Sequence, residues 1–90
     1  MNAYIIIYKL NNTARDYAKI SNRIKAYSSW AKIFDRTWFI ATDDDPKIIR
    51  DSLSTAINGN GEIMVIKITG RAWASYSVDK KITNWLKENL

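Results

Sequence analysis

Three consecutive aspartates, Asp43-Asp44-Asp45, are the densest group of potential metal ligands in the chain. Mg²⁺ takes oxygen donors, usually with one or two carboxylates among them. Adjacent side chains point in different directions, however, and Pro46 follows directly. The run therefore reads as a helix start: an Asp at the N-cap, Pro at the first helical position, and negative charge at the positive end of the dipole. Asp35, next to Arg36, is a good turn former, and Asp16 stands alone. The chain has no His and no Cys. That removes the commonest general base and metal ligand, a thiolate zinc site and a disulfide framework. An enzyme built on this sequence would have to work with carboxylates, lysines, tyrosines or a metal held by oxygen. No Gly-rich phosphate loop, nucleophile elbow, kinase set or zinc spacing is present. Asn58-Gly59-Asn60-Gly61 is too short for a phosphate loop and follows a helix rather than a strand. No metal and no cofactor is expected.

The basic residues point to a different chemistry. The net charge of +5 belongs entirely to residues 1–42, which hold seven Lys or Arg against Asp16 and Asp35, whereas residues 43–90 hold seven of each sign. Such a local excess builds a field that attracts phosphates, although a solvated face of an ordinary domain can look the same. Lys9, Arg15, Lys19, Arg23 and Arg36 are the expected phosphate-facing set, with Arg15, Lys19 and Arg23 on one side of the first helix. Tyr4, Tyr8 and Trp38 on a sheet face could stack bases. The RNP motif with its glycines is missing, and core or interface packing is the preferred reading of these three. Trp73, in a loop with Arg71 and Tyr76, is the best candidate for an exposed stacker, and it could equally plug an open sheet face.

The elements that must position these side chains are legible in order. Tyr4-Ile5-Ile6-Ile7-Tyr8-Lys9-Leu10 is an apolar strand that stops at Asn11-Asn12. Asn12 or Thr13 can cap a helix over about residues 14–28, with Tyr17, Ile20, Ile24 and Tyr27 as its buried stripe. Trp30–Phe34 and Thr37–Thr42 form a hairpin joined at Asp35-Arg36. The second helix runs from Pro46 to about Ile57, with Ile49, Leu53 and Ala56 inward, and Asn58-Gly59 ends it. Glu62–Thr69 is a fourth strand, and Ser77 is expected to cap a last helix in which Val78, Ile82, Trp85 and Leu86 share a face. This order is the α+β, ferredoxin-like βαββαβ arrangement with an additional C-terminal helix and a four-stranded antiparallel sheet, in a single domain over residues 1–90.

The first strand is apolar at every position, so two phases are open. Either Ile5 and Ile7 face the helices or Tyr4, Ile6 and Tyr8 do, and in both cases the opposite face needs a cover. The C-terminal helix could supply part of it and a second copy the rest, which leads us to expect a homodimer. A domain this small buries only about 60 to 65% of its unfolded surface. The apolar run is too short for a signal peptide or a membrane span. Without cysteine staples a cytoplasmic location is expected, with no membrane partner.

The strand Tyr4–Leu10, the hairpin Phe34-Asp35-Arg36-Thr37-Trp38-Phe39-Ile40, the segment Val65-Ile66-Lys67-Ile68-Thr69-Gly70 and the tail Thr83-Asn84-Trp85-Leu86 resemble a known group. These are the small ferredoxin-like proteins typified by the CRISPR adaptation-complex subunit of the CRISPR-associated endoribonuclease family, with VapD-like toxins and SinR-like proteins as relatives. The SinR-like branch, with its Thr-Trp strand and closing Trp-Leu helix, is the nearest in pattern. In nuclease members the first strand typically ends in an aspartate, and two of these hold a divalent ion near a dimer axis. This chain has Lys9 at the matching position, and an ammonium cannot ligate Mg²⁺. The resemblance therefore implies a homodimeric nucleic-acid-binding or nucleoprotein-assembly protein without nuclease activity. The alternatives are a metal-dependent endoribonuclease or toxin using Asp16, Asp35 or Asp43–Asp45, and an interaction subunit whose partner is a protein.

Overall fold

The hydrophobic strand β1 (Asn2–Leu10) occupies the interior of a four-stranded sheet in the computed structural model, which describes residues 1–11 and 14–90. It is followed by α1 (Ala14–Lys25), β2 (Ser29–Phe34), β3 (Thr37–Thr42), α2 (Pro46–Ala56), β4 (Gly61–Lys67) and α3 (Lys80–Asn89). The sheet order is β2-β3-β1-β4, and β1 pairs antiparallel with both neighbours. This is the expected ferredoxin-like α+β arrangement with a C-terminal helix added. The proposed cap at Asn12 or Thr13 lies outside the described residues.

The phase of β1 is settled by burial. Tyr4, Ile6, Tyr8 and Leu10 enter the core shared with Ile20 and Ile24 of α1, Trp38 and Ile40 of β3, and Ile49 and Leu53 of α2. Strand alternation then sends Ile5, Ile7 and Lys9 to the opposite face. Pairing carries the same division into β4: Ile63 and Val65 lie against the core, while Met64 and Ile66, opposite Ile7 and Ile5, share the other face.

Local chemistry explains the ends of the elements. Asp45 is the N-cap of α2, its Oδ1 accepting from the Ile48 N–H at 3.0 Å, with Pro46 opening the helix. At the other end Asn58 and Gly59 adopt left-handed φ of 53° and 73°, and the Gly59 N–H donates to the Ser54 carbonyl at 3.1 Å. The first helix stops at Lys25, earlier than its periodicity suggests. Ala26 and Tyr27 N–H groups turn to the carbonyls three residues back, Arg23 and Ile24, yet Tyr27 still packs against the core. The last helix is capped by Asp79, whose Oδ1 accepts from Lys81 N–H at 2.8 Å, and not by Ser77. Ser77 takes a left-handed φ of 56° and turns the chain two residues before the cap.

The β2–β3 hairpin carries an irregularity between Lys32 and Phe34, where Ile33 is the extra residue. A bulge of this kind shifts the alternation, so both Ile33 and Phe34 reach the face opposite α1 and α2. There α3 covers the β2–β3 half. Leu86 is buried with Ala31 and Phe39, and Trp85 stacks on Phe39 with centroids 5.8 Å apart and donates from Nε1 to Ser29 Oγ at 3.0 Å. The β1–β4 half is left bare, with Ile7, Met64 and Ile66 exposed.

Candidate nucleic-acid interface

Arg15, Lys19 and Arg23 recur every four residues along α1, on one flank of the stripe that buries Ile20 and Ile24. Lys19 and Arg23 line a groove of about 480 Å³ whose other wall is Thr55, Ala56 and Asn58 at the end of α2. Arg23 is partly committed to holding the two helices together. Its Nη1 donates to both the carbonyl and the Oγ of Ser52, each at 3.1 Å. Arg15 is exposed in the first turn.

On the other flank of α1 lies a second set of cations, laid over aromatic rings. The Arg36 guanidinium carbon sits 4.5 Å from the centroid of Tyr17, and Lys32 Nζ lies 5.4 Å from that of Trp38. Lys25 Nζ is 5.7 Å from the Trp30 ring and 5.9 Å from Trp38. Trp30 tilts against Trp38 at 5.5 Å and remains partly exposed. Cation–π attraction holds such ammonium groups near the rings without neutralising them. Between Arg36, Lys32 and the helix a hollow of about 270 Å³ opens onto Tyr8, Tyr17 and Ser21, with Asp35 at its rim.

The ion pairs among the described residues are Met1 N-terminus–Asp43 at 3.5 Å and Arg50–Asp51 at 2.9 Å. None of the seven Lys and Arg side chains of residues 1–42 takes part in either. Lys25, Lys32 and Trp30 belong to this surface although they are outside the expected set. The signal for two of them was present, since Trp30 and Lys32 share one face of a strand by spacing, but only pairing opposite Ile40 and Trp38 places that face under α1.

The five expected positions do not form one continuous surface. Lys19 and Arg23 meet in the interhelical groove, Arg36 lies on the opposite flank of α1, and Lys9 belongs to the other face of the sheet, across from Glu62. Tyr4, Tyr8 and Trp38 are core residues, at 2%, 4% and 0% exposure. Trp73 is partly exposed and walls an apolar cleft behind the sheet.

The acids are dispersed. Asp16 is in the first turn of α1, Asp35 precedes β3, and Asp43–Asp45 follow it at the far end of that strand. Asp45 is occupied by capping, and the Asp44 N–H donates to Thr42 Oγ1 at 3.2 Å. Among the described residues no group of three or more acidic side chains is placed to hold a metal ion. Tyr27, where α1 meets α2, has its phenol pKa raised, first by burial and then by Asp44, with Arg23 opposing. No helix among the described residues is long and apolar enough to cross a membrane. Comparison with protein-family models, with curated proteins and with solved structures gives no match.

Proposed function

We propose that the chain is a homodimeric nucleic-acid-binding or nucleoprotein-assembly protein that grips phosphates and does not cleave them. The observation that carries this reading is the set of cations on α1, β2 and the hairpin turn, free of carboxylate partners among the described residues and interleaved with aromatic rings. Unpaired cations around a groove supply affinity without sequence readout. Lys9 at the end of β1 supports the non-catalytic half of the proposal, as does the resemblance to the CRISPR-associated, SinR-like and VapD-like superfamily.

The second copy is assigned to the bare strip of Ile7, Met64 and Ile66. It lies on the edge strand and its neighbour, and Lys9 opposite Glu62 at its end offers charges of both signs to a two-fold mate. About 800 Å² per partner makes an ordinary stable interface.

The test is binding to duplex DNA and to RNA as a function of salt. On duplex DNA the logarithm of affinity should fall linearly with the logarithm of salt, by about 0.9 per phosphate contact. Replacing Arg15, Lys19 and Lys32 by Ala should flatten that slope for every sequence alike. No measurable affinity at about 50 mM salt, where counterion release favours binding, would hand the protein to a protein-partner role. Mg²⁺-dependent cleavage lost on Asp35→Ala or Asp16→Ala would replace it with a nuclease. Sedimentation should give a dimer that Met64→Lys with Ile66→Lys converts to monomer.

A further inference from the structure

Behind the sheet, between the loop that follows β4 and the C-terminal helix, lies a cleft of about 440 Å³. Its floor is Ile5, Phe39 and Ile68, and Leu86 closes one side. Protein interiors leave few voids larger than a water molecule, whereas small-molecule sites span roughly 300–1,000 Å³ and combine apolar walls with a few placed polar groups. The cleft matches the second description. Arg71 carries the one charged side chain among its walls, and among the described residues its guanidinium has no ion pair. The backbone of Arg71 is set by the turn after β4, where its N–H donates to the Ile68 carbonyl at 3.0 Å and Gly70 supplies a φ of 73°.

We infer that this cleft binds an amphiphilic monocarboxylate, its hydrocarbon body on the floor of the sheet and its carboxylate on Arg71. A guanidinium presents a planar fork that matches a carboxylate's two oxygens. A single cationic side chain in mostly apolar walls selects one negative charge with an apolar body over a polyanion. The site stands apart from the cations around α1, on the opposite face of the sheet, and does not depend on the nucleic-acid reading.

Decanoate and decyltrimethylammonium, which share a tail and differ in head charge, test this below their micelle concentrations. The readout is the indole N–H resonance of Trp73, a wall of the cleft, assigned with Trp73→Phe. Decanoate should shift that resonance saturably at one molecule per chain while the Trp30 and Trp38 signals stay in place, and the trimethylammonium compound should not. Arg71→Gln, at an exposed position, should keep the dispersed spectrum and weaken decanoate about tenfold, the scale of a charge-assisted hydrogen bond. Ala74→Trp, which fills the cleft, should abolish binding. No saturable shift, equal binding of both head groups, or indifference to Arg71→Gln would overturn the assignment. If Ala74→Trp fails to fold, the Arg71→Gln comparison decides alone.

Discussion

The bond between Trp38 and Tyr8 offers the sharpest check on how the core is sealed. The Trp38 indole Nε1 donates to the Tyr8 hydroxyl at 2.9 Å, and the two residues are 0% and 4% exposed. Tyr8→Phe keeps nearly all of the packing but leaves the indole N–H buried without an acceptor, a loss of about 1–3 kcal/mol. Trp38→Phe strips the hydroxyl of its donor and opens space between α1 and the sheet. With both changes together neither orphan remains. The double variant should therefore be less destabilised than the summed singles, by about 1–2 kcal/mol. Urea denaturation at fixed protein concentration, needed because association would shift the midpoint, measures all four species. With a slope near 1 kcal/mol per M, a 2 kcal/mol loss moves the midpoint by about 2 M, and it lowers Tm by roughly 8–16 °C in a domain of this size. Trp38→Ala, which empties the site, should cost about 3–5 kcal/mol, a large share of the roughly 5–13 kcal/mol available to a chain this long. A Tyr8→Phe variant within about 0.5 kcal/mol of the parent, with additive effects around the cycle, would show that the indole reaches water and that the core is not closed there.

Trp85→Ala should loosen α3 from the sheet at a cost of about 2–3 kcal/mol, less than for Trp38 because the ring is only half-buried, with hydrogen exchange rising in residues 80–89 before the rest. Gly61→Ala should destabilise by about 1–3 kcal/mol, since a Cβ there would meet the Lys9 carbonyl oxygen at 2.7 Å. An unchanged melting curve would mean that β1 and β4 are less closely fixed. Tyr27 makes stability fall in alkali. Its raised pKa means the native state keeps a proton that the unfolded chain gives up near the ordinary value of about 10, so its contribution is intact below that pH and is lost as pH rises through the native value. Tyr27→Phe should remove this component of the pH dependence, seen as a smaller drop in the denaturation midpoint above about pH 10.

The order and type of the elements were legible because each is written in local chemistry. Asp45-Pro46 is a helix start, Asp35-Arg36 separates two runs rich in aromatic and β-branched residues, and Ile20 with Ile24 marks an inward stripe. Where an element had two acceptable local solutions, the sequence left it open. Residues 4–8 are apolar at both parities, so a period of two cannot say which face meets the helices. Tyr4, Ile6 and Tyr8 face inward because their partners across β3 and β4, Trp38, Ile40, Ile63 and Val65, belong to the same core. Ser77 and Asp79 are both good caps, and the left-handed turn at Ser77 selected the second. The basic half of the chain was visible as a count, but its geometry was not. Charges spaced along a sequence meet only where pairing and crossover bring strands and helices together. Here the opposite-flank placement of Arg36 and Lys32 and the laying of Lys25 over Trp30 were decided by the register of the β2–β3 hairpin beneath α1, and the removal of Lys9 to the far face by the phase of β1 between β3 and β4. That is a relation between residues distant in sequence, which no local pattern encodes.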